Sequence, residues 1–187
     1  MASFIMLLIG AALVGGLVWV RGRFMSFGAQ SPDEYEGLGP EFDLPTYLNG
    51  PMVCEGVIYG PTGRVASRFT VEMEGIWSGT SGRLVETFHY DSGAVQNREW
   101  KLELGENGEF EARGEDILGT GRGQQCGPTV RLAYRIRLPD DAGGHVLDTV
   151  DWMYLLENGS IMNRSQFRKY GFKVAELVAT MRRKDVA

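Results

Sequence analysis

The chain has 187 residues, 43% hydrophobic and 23% charged, the balance of an ordinary globular protein rather than a disordered one. Its formal net charge of −5 argues against a nucleic-acid surface, which needs clustered Lys and Arg. Glycine occurs 26 times, about twice its usual ~7% usage, as many tight turns between short strands would require.

The first element stands apart from the rest. "FIMLLIGAALVGGLVWV", Phe4 to Val20, is uncharged and almost wholly apolar. As a helix it is roughly 25 Å long at ~1.5 Å per residue, close to a ~30 Å hydrocarbon core. Trp19 at its end suits the interface. No Lys or Arg precedes the run and no clean A-x-A site follows it, so an uncleaved single-pass anchor over residues 1–23 fits better than a cleaved secretory signal. No cysteine near its end offers a lipid attachment site. Arg21 and Arg23 flank the C-terminal side, and the positive-inside rule then leans toward the domain on the cytoplasmic face of the membrane, with the opposite face as the alternative.

Residues 24–49 mix Gly, Pro and acidic side chains without periodicity and read as a linker. From Met52 the pattern is strand after strand, so residues 50–187 are expected to form the folded domain. Val53 to Tyr59 is one strand. Val65 to Trp77 is a longer one, with Phe69, Val71, Met73 and Trp77 on one face and Arg68, Thr70, Glu72 and Glu74 on the other. "LVETFHYDSGAVQNREWKLEL", Leu84 to Leu104, is a hairpin. A two-residue loop would set Glu86 against Glu99, a destabilising pair. A three-residue loop is therefore expected, pairing Leu84 with Leu102, Glu86 with Trp100, Phe88 with Arg98 and Tyr90 with Gln96. That register carries two charges, Glu86 and Arg98, onto the apolar face on a diagonal.

Phe110 to Arg113 follows, and then "LGTGRGQQCG", Leu118 to Gly127, which looks like a phosphate loop only in its glycines; without a following helix it reads as a bulged strand or turn. "VRLAYRIRL" alternates Val130, Leu132, Tyr134, Ile136 and Leu138 against Arg131, Ala133, Arg135 and Arg137, a strand with one wet face. "HVLDTVDWMYLLENGSIMNRSQFRKYG" turns at Asn158-Gly159, the signal of a two-residue hairpin. That turn pairs Leu156 with Ile161, Tyr154 with Asn163, Trp152 with Ser165 and Val150 with Phe167, and puts Asp151, Met153, Leu155, Met162, Arg164 and Gln166 on the opposite face. "FKVAELVATMRRK" is rich in β-branched residues and lacks a helix cap, so it reads as a last strand. Eight to ten antiparallel strands at hairpin spacing mean a barrel or sandwich, and consecutive wide hairpins with one apolar face favour an up-and-down barrel.

Two inward clusters are candidate ligand-binding sites. Glu86 and Arg98, with Tyr90, Gln96 and Trp100 beside them, form either a structural ion pair near the open end or a polar handle in which Arg98 helps hold an anionic or polar head group. Trp152, Tyr154, Asn163 and Ser165 form the second; they either satisfy one another's hydrogen bonds or meet a ligand. No catalytic residue is expected, because a carboxylate and a guanidinium supply neither nucleophile nor tunable base. His89, His145, Cys54 and Cys126 lack metal-ligand spacing, so no metal or cofactor is expected. The two cysteines could pair only in an oxidising compartment.

"FDLPTYLNGPM", "GVIYGPTGRVASRFTVEMEGIW", "GRLVETFHYDSG" and "DWMYLLENGSIMNRSQFRKYGFKVAELVATMRR" together resemble a proteobacterial family of uncharacterised proteins, domain of unknown function 3833. The likeness runs from about Phe42 to Arg183. It implies a lipocalin-like barrel, and a connection to fatty-acid modification through neighbouring genes; it implies no catalytic residue. The expectation is thus an all-β, antiparallel up-and-down, lipocalin-like barrel behind a transmembrane helix, binding a lipid or other amphipathic small molecule. The alternatives are an enzyme or accessory acting on membrane acyl chains, or a solid-core barrel for protein–protein contact, distinguished by whether the barrel is hollow.

Overall fold

The structure, a computed structural model, describes residues 2–184. Ala2–Phe24 forms helix α1. Its stretch Ser3–Phe24 has a mean hydropathy of 2.3 and none of it is buried, so it is long and apolar enough to cross a membrane. Arg21 and Arg23 occupy its last turn, where cations oppose the helix dipole.

Ten strands follow. They are β1 (Gly50–Tyr59), β2 (Val65–Ser78), β3 (Ser81–Tyr90), β4 (Val95–Leu104), β5 (Glu109–Gly114), β6 (Gly121–Cys126), β7 (Thr129–Arg137), β8 (Val146–Leu155), β9 (Ile161–Lys169) and β10 (Phe172–Arg183). Each pairs antiparallel with its sequence neighbours, and β1 pairs with β10 to close the ring. This is the up-and-down barrel expected, with no free sheet edge.

Alternation supplies the core. Phe69, Val71 and Met73 of β2, and Val130, Leu132, Tyr134 and Ile136 of β7, are buried in the expected order. The glycine-rich stretch becomes β6, and its Gly123 has a packing reason: a Cβ there would stand 2.1 Å from the Phe110 ring. Phe110 of β5 occupies the space that β6 leaves.

One end of the barrel is stoppered by the chain itself. Leu44–Tyr47 forms a single helical turn, α2, with Asp43 as its N-cap through a bond from the Thr46 amide. Phe42, Leu44 and Leu48 are buried in the core. The Leu44 amide donates to Gln125 Oε1 at 2.8 Å, and Trp77 Nε1 donates to the Leu48 carbonyl at 2.8 Å. The opposite end carries the half-buried Ile58, Phe88, Tyr90, Phe167 and Leu177.

Both hairpin registers differ from expectation. In β3–β4 the loop has three residues as expected, but it is Asp91-Ser92-Gly93, flanked by Tyr90 and Ala94; the Tyr90 amide donates to Ala94 at 3.0 Å and the Gly93 amide to Tyr90 at 2.9 Å. Leu84 therefore meets Trp100, Glu86 meets Arg98 and Phe88 meets Gln96. The offset of two residues leaves every side chain on its expected face. Glu86 and Arg98 become direct partners instead of a diagonal pair.

In β8–β9 the correction is larger. The loop is Glu157-Asn158-Gly159, closed by the Leu156 amide to Ser160 at 2.8 Å. Only Gly159, at φ +78°, is left-handed, whereas a two-residue Asn-Gly turn needs both central residues there. The register moves by one. Asp151 now meets Ser165, Met153 meets Asn163 and Leu155 meets Ile161. Asp151, Met153 and Leu155 face inward, while Trp152 and Tyr154 lie on the outer face.

Candidate functional site

The barrel interior encloses a cavity of about 120 Å³. Most of its wall is apolar, from Phe69, Val71 and Met73 on β2 to Leu102 and Phe110 on β4 and β5. Of the eight expected site residues, Glu86, Arg98, Trp100, Asn163 and Ser165 line it. Tyr90 stands at the half-buried end, stacked on Phe88 at 5.9 Å and donating to Gln96 Oε1 at 3.0 Å.

Around Arg98 the wall turns polar. Its Nε binds Asp116 Oδ2 at 3.0 Å, with both side chains largely buried. Its guanidinium lies 4.2 Å over the Trp100 ring and 5.9 Å from the Tyr134 ring, a cation–π arrangement in a largely buried site. Tyr134 meets Trp100 edge-on at 5.2 Å and donates its hydroxyl to Asp151 Oδ2 at 3.0 Å. Ser165 donates to Asn163 Oδ1 at 3.4 Å, and Asn163 Nδ2 donates to the Trp152 carbonyl at 3.2 Å. Five strands and the β5–β6 loop thus meet in one polar patch.

Burial dominates the electrostatics. It pushes the Glu86 carboxyl up to about 7, with the Arg98 guanidinium and the Trp100 side chain opposing it. Burial also raises Asp151, against the pull of the Ser165 and Tyr134 hydroxyls, and raises Tyr134 well above the usual phenol range, with Asp151 adding to it. For Arg98 burial works against the charge, but Tyr134, Glu86, Asp116 and Asp151 more than offset it. Cys54 faces the same space from β1, its thiol pushed up to about 12 by burial and then by Glu86. Glu86 is therefore a carboxyl able to change protonation near neutrality inside an apolar chamber.

Asp116, Tyr134 and Asp151 complete the patch and escaped the sequence reading. Asp116 sits in a loop with no periodicity to place it. Alternation places Tyr134 inward, but as core. A two-residue turn places Asp151 outward.

Trp152 and Tyr154 belong to a different structure. On the barrel's outer face Trp152 is wholly buried. Tyr35 lies 5.6 Å from it, and Tyr154 stacks on it at 6.0 Å and 12°. The hydroxyls of Tyr35 and Tyr154 both donate to Gln30 Oε1 at 2.8 Å. Arg164 places its guanidinium 4.8 Å over Phe27. The stretch between α1 and β1 thus lies along the wall and covers this cluster. Neither Trp152 nor Tyr154 reaches the cavity.

Among the described residues no group of three His, Cys, Asp or Glu side chains is placed to hold a metal ion. Cys54 and Cys126 are both free.

The fold has a solved counterpart. The crystal structure of Rv2717c from M. tuberculosis matches with a TM-score of 0.56 at 16% identity, covering 79% of this chain and 99% of that one. At that identity the likeness shows the barrel alone. No curated protein matches the sequence. The family match takes in the stretch before β1 as well as every strand: over residues 22–183 the chain fits the family described as protein of unknown function (DUF3833), and it belongs to that family.

Proposed function

We propose that the barrel binds a small amphipathic molecule of the lipid class in its interior, and that α1 holds it at a membrane. The observation that carries this is an apolar cavity whose wall presents polar atoms with no partner among the described residues, Arg98 Nη2, Glu86 Oε2 and Asp151 Oδ1. Buried polar atoms are nearly always paired, and leaving one unpaired costs about 1–3 kcal/mol. A ligand's polar group offsets that cost here.

The volume sets the form of the complex. At about 120 Å³ the cavity is smaller than the roughly 300–1,000 Å³ of most ligand pockets and near the ~150 Å³ that holds a benzene ring. The polar end and the first part of the apolar body fit inside, and a longer tail leaves between Phe88, Phe167 and Leu177. Arg21 and Arg23 favour the cytoplasmic face for the barrel.

Native mass spectrometry of the full chain, extracted mildly from its own host, tests the reading. The expected result is a bound small molecule in the wild type that is lost in Arg98→Met and retained in Tyr154→Phe. A wild-type protein carrying no bound mass under several mild extractions would overturn it.

A further inference from the structure

The unpaired atoms define the ligand's polar end more narrowly. Arg98 Nη2 is a donor and cannot accept. Glu86 Oε2 and Asp151 Oδ1 are carboxyl oxygens. The other two buried side-chain atoms without a partner among the described residues, Thr149 Oγ1 and Trp152 Nε1, belong to residues that do not line the cavity. The Arg98 charge is already matched by Asp116 at 3.0 Å. Glu86 and Asp151 then stand beside it as two further carboxyl groups, so one cation faces three acids. Tyr134 and Cys54, the remaining titratable groups on the wall, add no positive charge.

Each class of head group can be weighed against that set. A carboxylate or phosphate offers acceptors only: it satisfies Nη2 but brings a further negative charge to a place where Asp116 already matches the one cation, at a steep desolvation cost. An ammonium offers donors only: it leaves Nη2 unpaired and stands beside the guanidinium. A hydroxyl brings one hydrogen to give and two lone pairs to receive with. It takes the Nη2 hydrogen and donates to Glu86 or Asp151 without adding charge.

We infer that the buried end of the ligand is neutral and carries both a donor and an acceptor, of the alcohol or carboxamide class, rather than a fatty-acid carboxylate or a phosphate head group. The inference rests on the cavity-binding reading above. It narrows Arg98 from a counter-ion for an anion to a donor for a neutral oxygen.

Three single-ring probes that differ in their polar group separate the possibilities: cyclohexanol, cyclohexanecarboxylate and cyclohexylammonium. They are titrated at pH 7.5 against the full chain in phosphatidylcholine nanodiscs, with methyl-labelled methionine as reporter. Met73, Met153 and Met181 line the cavity, while Met6 and Met25 are exposed in and just beyond α1 and report partition into lipid. The expected result is saturable shifts of the three cavity methyls, with the alcohol binding at least about tenfold tighter than either ion, a gap of ~1.4 kcal/mol. Equal or tighter binding of either ion overturns the inference and leaves the cavity reading intact. If none of the three moves the cavity methyls, the cavity reading itself fails and the inference falls with it.

Discussion

Asp151 and Trp152 are neighbours on β8, the first half-buried and the second wholly buried, and they serve opposite sides of one wall. Asp151 looks into the barrel, where it receives the Tyr134 hydroxyl and keeps one oxygen without a partner among the described residues. Trp152 looks outward and is buried under Tyr35 and beside Tyr154, whose hydroxyls share Gln30. The inner patch concentrates charge on an otherwise apolar wall with polar valences left over. The outer cluster is nearly saturated, mostly aromatic, and covered by the chain's own preceding segment. Burial alone does not separate a binding site from a seam. Unspent hydrogen-bonding capacity next to empty volume does.

The largest expected effect comes from uncovering the seam. Removing residues 1–23 takes away α1, none of which is packed against the barrel, and stability should stay within about 0.5 kcal/mol of the full chain, as for surface changes. Extending the deletion to residue 49 also removes Phe42, Leu44 and Leu48, three core side chains exposed by 3% or less. At about 1.5–3 kcal/mol per buried side chain, the loss is on the order of 5 kcal/mol or more, comparable to the whole stability of many domains. Denaturant midpoints of the two shortened chains check this. Equal midpoints would show that the covering segment is an ornament and that the seam holds without it.

That segment and the β8–β9 hairpin are where sequence reading fell short, and the reasons are physical. Strand positions were legible because alternation is local: Val130 to Ile136 and Phe69 to Met73 announce one wet and one dry face without help from the rest of the chain. Register is less local. In β3–β4 the offset was even, so Glu86 and Arg98 stayed inward and the charged pair was found. In β8–β9 it was odd, because the loop takes a third residue with only Gly159 left-handed; the faces of β8 inverted, and Asp151 was exchanged for Trp152. Asn163 and Ser165 kept the right face because the slip fell on their partners. Residues 24–49 carry no period at all, and their packing depends on a groove that exists only once β6 to β9 are assembled.

A middle-sized effect sharpens the inner half of the comparison. Burial raises the folded-state carboxyl of Glu86 from 4.5 to about 7, so between those values the native state holds a proton that the unfolded chain has released. Stability contributed by the neutral carboxyl is then fully present below about pH 4.5 and is lost as pH rises through 7. The shift corresponds to about 3 kcal/mol at pH 8, and Asp151, also raised by burial, acts in the same direction. Glu86→Gln should therefore match the wild type at about pH 4 and exceed it by about 3 kcal/mol at pH 8. Urea unfolding of both proteins across that range is the measurement. A variant less stable than the wild type at pH 8 would mean that the ionised Glu86–Arg98 pair outweighs its desolvation. The seam gives a contrast: Tyr154→Phe changes no group that titrates in this window, so its effect should be flat with pH.

The smallest expected effect is none, and it concerns the cysteines. Cys54 on β1 faces the cavity, and Cys126 ends β6. In the closed order β1-β10-β9-β8-β7-β6-β5-β4-β3-β2, those two strands are five steps apart either way round, the greatest separation a ten-stranded ring permits. With strands ~4.8 Å apart, opposite walls lie well beyond the ~7 Å Cα separation that a disulfide can bridge. The bond is closed to this fold whichever side of the membrane the barrel occupies. Alkylation under denaturing, non-reducing conditions should add two blocking groups in the intact mass, and reductant should leave the melting temperature unchanged. Without denaturant only Cys126 should react at an appreciable rate, because the buried Cys54 thiol, pushed up to about 12, is almost wholly protonated at neutral pH. Rapid native modification of Cys54 would show that a reagent entering past Phe88 and Phe167 meets a thiolate inside, against the protonated thiol that burial imposes. A mass lacking both adducts would place the two cysteines together and break the ring order itself.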